Sequence, residues 1–388
     1  MVKLRITIGV VDLVYVYIVN VSWFFDSHFY KLAKHNLEKG HTVHIVTGDE
    51  EKREEYQSQG FHYHNYGVTR DGTNLFNELK VIYKLFKLIR EIKPDLLHAF
   101  TIKPVLYSGL LTRFFKGICP SRMVFSITGL GSLSLAQSMK ARLLWSTVET
   151  AYKWVLSQPR SVAVFENSDD RALFIENGIV PKQRTALVNG AGIDTHYYVP
   201  SALINNPPVV VFLARMLKDK GAREYIEAAR ILKDRNVDVV MRMVGGLDAA
   251  NISSLKGAEL TAAHDDGAIE YLGHRSDVKD IYQGADIACL PSYREGLPKS
   301  LIEAASCGLA IITSDTPGCR QLVDSEEPNG LLVPVKDSRA LADAVQLLVE
   351  DKALRVLYGE RSRKMAMAKF DYESVLASFD VIYEEHGN

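Results

Sequence analysis

The feature that most constrains this chain is the alternation of short apolar runs with longer amphipathic segments. The runs are rich in β-branched residues and are apolar at most positions, which indicates strands covered on both faces. Buried strands that alternate with helices predict a doubly wound α/β architecture with parallel sheets. The segments predicted as strands are RITIGVV, LVYVYIV, HTVHIVTG, DLLHAFT, RMVFSITG, SVAVFEN, VVVFLARM, VDVVMRMVGG, AIEYLG, ADIACLPS and AIITSD.

The alternation restarts near Val209, directly after a stretch that has the composition of a linker, VPSALINNPP (199–208). A chain of 388 residues is also too long for one ordinary hydrophobic core. We therefore predict two doubly wound domains, 1–199 and 200–370, facing each other across a cleft at the carboxyl ends of their strands. A final helix at 371–388 is expected to pack back on the first domain.

Composition and charge exclude several kinds of partner. The net charge of −1 predicts no bulk attraction to nucleic acid. None of the four cysteines forms a C-x-x-C pair, so reduced thiols in the cytosol are the simplest interpretation. The run LVYVYIV is far too short to span a bilayer. No D-x-D motif of the kind that metal-dependent transferases use is present, and we expect neither a metal nor another cofactor.

The stretch SYREGLPKSLIEAASCG (292–308) predicts a phosphate site at the start of a helix. Pro298 suits the first helical turn, because its missing N–H would have no partner there. Glu303 lies about 7–8 Å further along the helix, roughly the span from a diphosphate to its ribose, and Glu295 lies where a sugar beyond the phosphate would be. Each carboxylate is suited to accept hydroxyl hydrogen bonds. The amides predicted to hold the anion are those of Gly296, Leu297, Lys299 and Ser300.

Two cations follow the first strand of the second domain. Arg215 comes just after this strand and Lys220 lies in the loop beyond it, in FLARMLKDKG (212–221). Both are suited to neutralise a diphosphate, and arginine can do so with a bidentate fork. The alternative is an ordinary basic loop, but the glutamate motif further along the chain favours a binding role.

These motifs resemble those of family 4 retaining glycosyltransferases, which have the GT-B fold of two Rossmann-like domains. The resemblance covers nearly the whole chain and includes REGLPKSLIEA, FLARMLKDKG, LGHRSDVKDIYQGADI and LVNGAGIDTHYY. In the first domain, SWFFDSH, PDLLHAFTIKPVLYSG, ITGLGS and FENSDD are similar to one branch of the family. That branch extends sugars on undecaprenyl diphosphate for O-antigen, capsule or protein glycosylation.

The resemblance implies a retaining hexosyltransferase. It would move a hexose or N-acetylhexosamine, with GalNAc favoured by branch similarity, from a UDP-sugar to an undecaprenyl-diphosphate-linked saccharide. Two alternatives keep the fold: a UDP-sugar epimerase or phosphorylase-like enzyme, and a non-catalytic protein that binds sugar nucleotides. An epimerase needs no acceptor groove, and a phosphorylase needs a cofactor-binding lysine segment that the sequence lacks.

The resemblance also implies roles for the residues of the second domain. Arg215 and Lys220 would stabilise the departing UDP, and His274 and Arg275 would lie near the nucleotide base. The alternative for LGHRSDV is a polar loop in which Ser276 caps the next helix. The full set implied to bind the donor is Arg215, Lys220, His274, Arg275, Glu295, Gly296, Leu297 and Glu303.

In the first domain the resemblance implies an acceptor site. His98 ends a strand and would lie by the reacting sugar as a fourth catalytic residue beside Glu295, Lys220 and Arg215, although a histidine there is often only a structural hydrogen-bonding group. Phe29 stands where the branch has arginine, which weakens the identification of the acceptor. FENSDD is interpreted as a strand end where Ser168 or Asp169 caps the next helix. The residues implied to bind the acceptor are Ser27 and His28, expected in the loop after the first strand, Thr101 and Lys103, expected near its phosphates, and Gly129 and Gly131.

Basic residues are concentrated in one part of the first domain. Residues 79–160 carry 13 basic and 3 acidic side chains, and LKVIYKLFKLIREIK (79–93) separates its lysines from an apolar face. This pattern predicts a surface that holds the protein peripherally on the inner face of the cytoplasmic membrane, within reach of a lipid-linked acceptor. The alternative is that each helix packs its apolar face on the sheet and exposes its lysines to water.

Overall fold

The computed structural model describes residues 12–69, 75–130, 139–202, 205–249 and 251–384. Within these ranges, thirteen strands form two separate parallel sheets. The prediction of a doubly wound α/β fold is therefore confirmed. The predicted strand RITIGVV (5–11) and Gly131 lie outside the described residues.

The first sheet has seven strands in the order β3-β2-β1-β4-β5-β6-β7. The order runs outward in both directions from the central pair, as expected when helices cross over both faces of a parallel sheet. These strands are β1 (Val14–Ile18), β2 (Thr42–Thr47), β3 (His62–Asn65), β4 (Leu96–Phe100), β5 (Arg122–Ile127), β6 (Ser161–Phe165) and β7 (Thr185–Leu187).

The second sheet has six strands in the order β10-β9-β8-β11-β12-β13. Its central strands are buried on both faces by helices, which explains their continuous apolar sequence. These strands are β8 (Val209–Leu213), β9 (Val240–Val244), β10 (Glu270–Tyr271), β11 (Ile287–Leu290), β12 (Ala310–Ser314) and β13 (Gly330–Val333).

Helices fill the intervals between the strands. In the first half of the described chain they are α1 (Ser22–His28), α2 (Tyr30–Glu38), α3 (Arg53–Ser58), α4 (Leu75–Ile92), α5 (Ile102–Phe114), α6 (Met139–Leu156) and α7 (Ser168–Glu176). In the second half they are α8 (Ala222–Asp234), α9 (Gly257–Asp265), α10 (Val278–Gln283), α11 (Lys299–Ser306), α12 (Ser338–Glu350), α13 (Lys352–Met365) and α14 (Tyr372–Glu384). None of the described helices is long and apolar enough to cross a membrane.

The last helix, α14, returns to the first sheet. Phe379 and Tyr383 lie in the same buried cluster as β1 and β4. At the surface of this contact, the imidazole of His35 lies 3.0 Å from the Asp380 carboxylate. The C-terminal helix therefore joins the two halves of the chain, whereas the domain boundaries at 199 and 370 stay predictions.

Candidate active site

The centre of the candidate site is the turn between β11 and α11, Glu295–Pro298, which we call the donor turn. The helix begins at Lys299, and Pro298 is its N-cap with φ −72°. The sequence placed Pro298 inside the first turn, so that prediction was wrong by one position. A proline N-cap still leaves the first helical amides without partners inside the helix.

Gly296 brings the donor turn against the first domain. A Cβ at this position would lie 2.1 Å from the Thr128 carbonyl oxygen and 2.6 Å from Oε2 of Glu166. Only glycine therefore allows this approach. On the other side of the contact, Gly129 has φ +136°, and a Cβ there would lie 3.3 Å from the Gly296 amide nitrogen. The donor turn thus lies where the carboxyl ends of the two sheets meet.

Lys220 and Arg215, the two predicted basic residues, each form an ion pair with a carboxylate of this chain. Lys220 Nζ lies 2.5 and 2.7 Å from the two oxygens of Glu295, so the structure brings these two residues together. Arg215 instead pairs with Asp248 at 2.5 Å, and Asp248 was not among the predicted residues. A ligand anion that binds Lys220 or Arg215 must therefore compete with the carboxylate to which that side chain is paired.

Glu303 is nearly closed to solvent. Its side chain is 9% exposed, and its Oε1 accepts a 3.1 Å hydrogen bond from the Tyr198 hydroxyl. Burial raises the pKa of this carboxyl, and the neighbouring Lys299, 3.3 Å away, opposes that shift. Lys299 also donates to the backbone oxygen of Ser27 at 2.8 Å, which links Glu303 to the predicted acceptor residues of the first domain.

Ser27 and His28 occupy the last turn of α1, so their prediction as loop residues was wrong. The Ser27 hydroxyl lies 2.5 Å from Nδ1 of His28, and the imidazole stacks on Phe24. Burial, followed by the charge of Lys299, lowers the pKa of His28 to about 4. His28 is therefore a neutral group beside the cleft at physiological pH.

His98 does not occupy the position expected of a catalytic residue. It is fully buried, and its two ring nitrogens lie 2.7 Å from the hydroxyls of Tyr383 and Ser126. Burial holds its pKa well below the usual range. Both nitrogens are thus occupied within the core, and the geometry assigns His98 to anchoring α14 rather than to the reacting sugar.

The other residues predicted for the acceptor lie around the start of α5. Thr101 has φ +69°, an uncommon conformation for a residue other than glycine, and its buried hydroxyl has no hydrogen-bond partner. Lys103 pairs with Glu78 at 2.8 Å. Phe29 stacks on Phe100 with ring centroids 3.8 Å apart, so it is part of the core and cannot take the polar role of an arginine.

His274 and Arg275 lie in the loop after β10. Arg275 donates to both carboxylate oxygens of Asp277, at 2.8 and 2.5 Å. Asp277, and not Ser276, is the N-cap residue of α10, and its side chain makes no capping hydrogen bond. The prediction that Ser276 caps this helix was therefore wrong, and the predicted role of the two residues near a nucleotide base stays a prediction.

Sequence reasoning missed a group of contacts made by the end of β6. Asn167 accepts from the Asp170 amide at 2.7 Å and caps α7, so the predicted caps Ser168 and Asp169 were wrong. Asp170 is fully buried and pairs with Arg294, at the edge of the donor turn. The signal available in the sequence was FENSDD itself, which places three acidic residues directly after a buried strand.

The described residues were also compared with the requirements of a metal site. Among the described residues, no group of three or more histidine, cysteine, aspartate or glutamate side chains could hold a metal ion. Lys220 brings positive charge to the donor turn through its contact with Glu295, and Arg294 and Lys299 flank the turn in sequence.

Two doubly wound parallel sheets, with a helix start and paired cations where their carboxyl ends meet, define a transferase of the GT-B type. The family model for glycosyl transferases group 1 matches residues 199–365, and the model for glycosyl transferase 4-like proteins matches residues 16–167. Together they cover most of both halves, and the chain belongs to these glycosyltransferase families.

Individual glycosyltransferases also align with most of this chain. N,N'-diacetylbacillosaminyl-diphospho-undecaprenol alpha-1,3-N-acetylgalactosaminyltransferase of Campylobacter jejuni is 28% identical over 88% of this chain and 90% of its own length. UDP-Gal:alpha-D-GlcNAc-diphosphoundecaprenol alpha-1,3-galactosyltransferase of Escherichia coli is 24% identical over 73% of this chain and 74% of its own length. The structure of Anabaena HepE in complex with UDP and glucose superposes with a TM-score of 0.75 at 16% identity, covering 96% of this chain and 100% of that one.

Proposed function

We propose that this glycosyltransferase moves an N-acetylhexosamine or hexose from a UDP-sugar to a saccharide on undecaprenyl diphosphate, with retention of anomeric configuration. The observation that carries the proposal is the convergence of Lys220, Glu295 and the amides of the donor turn at the meeting edge of the two sheets. This arrangement supplies positive charge and N–H donors for a diphosphate leaving group.

Each residue of the site has a distinct task in this proposal. Lys220 and Arg215 neutralise the charge that develops on the leaving UDP. Glu295 accepts a hydroxyl of the transferred sugar, and Glu303, held by Tyr198 and Lys299, accepts a ribose hydroxyl. Neither a metal nor another cofactor enters the proposed reaction.

The names of the relatives support the proposed substrates. The named Campylobacter jejuni and Escherichia coli enzymes act on undecaprenyl-linked diphosphate acceptors, which supports a lipid-linked acceptor here. The first of them transfers N-acetylgalactosamine, which makes UDP-GalNAc our proposed donor. The buried Phe29 offers no charge to the acceptor, so any cation for the acceptor diphosphate must come from another residue.

The test is a panel of UDP-sugars, each incubated with and without undecaprenyl-diphosphate-linked N-acetylhexosamine, with UDP release and transferred sugar as readouts. We expect the largest acceptor-dependent release with UDP-GalNAc, an α-linked product by NMR, and loss of activity in Glu303→Ala. Acceptor-independent conversion of one UDP-sugar into another would indicate an epimerase. Binding of UDP with no turnover of any donor would indicate a non-catalytic protein.

We further propose that the first domain works on the inner face of the cytoplasmic membrane. The neighbouring helices α4, α5 and α6 and the turn after α5 expose apolar side chains beside basic ones such as Lys80 and Lys116, the pattern of an interfacial surface. Ring contacts between Phe86 and Phe115, and between Phe114 and Trp154, connect the helices into one surface. The exposed apolar side chains, which we call the apolar face, are Phe76, Leu79, Tyr83, Phe114, Phe115, Leu143, Leu144 and Trp154.

This proposal predicts binding to vesicles that contain anionic phosphatidylglycerol. We expect Phe114→Ser combined with Leu143→Ser to weaken co-flotation with these vesicles by about tenfold, because two side chains no longer enter the lipid interface. Leu357→Ser removes an exposed leucine of the second domain and should have no effect. Flotation that is equal for all variants, or insensitive to the anionic lipid, would contradict the proposal.

A further inference from the structure

The side-chain amide of Asn167 joins the first domain to the donor turn. Its Nδ2 donates to the Gly296 carbonyl oxygen at 2.8 Å and to Oδ2 of Asp170 at 2.9 Å, while its Oδ1 accepts from the Asp170 amide at 2.7 Å. Asn167 is fully buried, and these contacts use both of its N–H donors. A serine or an aspartate would also cap α7, but neither has two N–H donors to give beyond the cap.

The Gly296 carbonyl oxygen lies in a closed contact. Gly296 is buried, and Gly318 packs so closely against it that a Cβ there would overlap this oxygen. A buried carbonyl that loses its partner is costly, so loss of the Asn167 N–H would favour a shift of the donor turn that brings water to the oxygen. The hydrogen bond from Asn167 therefore fixes the position of the donor turn relative to the first domain.

The same asparagine acts on the residue at the other side of Glu295. Asp170, which accepts from Asn167, pairs with Arg294. Arg294 directly precedes Glu295 in the chain, and Gly296 directly follows it. The first domain thus holds both chain neighbours of Glu295, and with them the backbone from which the Glu295 side chain starts.

We propose that Asn167 is a positioning residue that places Glu295 against the transferred sugar. The inference rests on the proposed function, in which Glu295 accepts a hydroxyl of this sugar. A displacement of about 1 Å in a group that orients the reacting sugar is enough to slow transfer by up to about 100-fold. UDP has further partners in the proposed function, Arg215, Lys220 and Glu303, so its affinity depends less on the position of Glu295.

The experiment compares Asn167→Ser with the wild type, using the most active UDP-sugar of the panel and the lipid-linked acceptor. Serine keeps an oxygen to cap α7 but has no N–H donor. We expect kcat/KM for transfer to fall by about 10- to 100-fold, and the Kd of UDP, measured by calorimetry, to change by less than about threefold. Asn167→Thr also keeps a cap oxygen and repeats the test, and circular dichroism confirms that each variant is folded.

The matched control is Gln321→Ala. It removes a hydrogen bond between the same two parts of the chain, from Gln321 Nε2 to the Ser168 hydroxyl at 2.9 Å, and this contact lies outside the donor turn. We expect the control to transfer sugar and bind UDP as the wild type does. A loss equal to that of Asn167→Ser would mean that any contact between the two halves supports turnover, and would overturn the inference.

A double-mutant cycle shows whether Asn167 acts through Glu295. If it does, Asn167→Ser should lower kcat/KM by less than about threefold in a Glu295→Ala background, because there is no carboxylate left to position. The full loss in that background, unchanged transfer by Asn167→Ser, or a fall in UDP affinity as large as the fall in transfer would overturn the inference and leave the proposed function intact. If the wild type transfers no sugar from any donor, the proposed function fails, and this inference fails with it.

Discussion

Replacing Lys220 by alanine is expected to lower kcat/KM for sugar transfer by about 10²- to 10³-fold, because a fixed cation no longer meets the charge developing on the departing diphosphate. Lys220 is held for this task by two contacts to Glu295, at 2.5 and 2.7 Å. Steady-state kinetics with UDP-GalNAc and the lipid-linked acceptor measure the effect. Folding should suffer less, by roughly 1–3 kcal/mol, because the variant leaves the Glu295 carboxylate without its partner.

The matched control for this variant is Lys218→Ala. Lys218 lies in the same short 3₁₀ turn as Lys220 and carries the same charge, but the cation within ion-pair distance of Glu295 is Lys220. Its removal should change kcat/KM by less than about threefold, since a half-buried charge outside contact distance of the Glu295 carboxylate is largely screened. Equal losses in the two variants would mean that bulk positive charge, and not the position of Lys220, supports turnover.

The architecture could be predicted because the central strands of both sheets are buried on both faces. Continuous apolar runs such as those of β4 and β8 leave few alternatives to a parallel strand covered by helices. The strands absent from the prediction carry a weaker signal. β3 is HYHN, with polar residues at three of four positions, and β7 has only three residues at the edge of the sheet. The third missed strand, β13 (GLLV), is a four-residue edge strand with only its two end residues buried. None of the three has the burial that produces a long apolar run.

Only those parts of the candidate site that form within one domain could be predicted from the sequence. The donor turn and the approach of Lys220 to Glu295 depend on strands of the same sheet, β8 and β11, which pair directly. The pairing of Arg215 with Asp248 involves a loop after β9, and no local pattern indicated it. Gly296 was predicted only as an amide that holds the anion, whereas in the structure it lies against Thr128 and Glu166 of the first domain.

His98 was expected near the reacting sugar because the sequence does not show its contacts with distant parts of the chain. The sequence placed His98 at the end of a strand, but it lies in the middle of β4 (Leu96–Phe100), and its partner Tyr383 lies 285 residues away. A C-terminal helix that packs on the first sheet decides whether such a histidine faces the cleft or the core. The long sequence separation also hid the contacts of Glu166 with Gly296 and of Asp170 with Arg294, which join the two halves of the chain.

The contact between the two halves gives the largest expected change in stability. Asp170 is fully buried, and Arg294 is its ion-pair partner from the second half of the chain. Replacing Arg294 by methionine keeps much of the side-chain volume but leaves a buried carboxylate whose remaining side-chain donor is Asn167. We expect the free energy of unfolding to fall by about 3–5 kcal/mol, measured by urea denaturation followed by circular dichroism and tryptophan fluorescence.

The neighbouring residue supplies the control for Arg294→Met. Asp169 pairs with Arg320 across the same contact at 3.2 Å, but the arginine side chain is 41% exposed. Water screens this pair, so Arg320→Met should cost at most about 1 kcal/mol. If burial decides the strength of these ion pairs, only Arg294→Met shifts the unfolding midpoint strongly and separates the unfolding of the two domains into distinct transitions. Two variants of equal stability would show instead that the buried pair contributes no more than the exposed one.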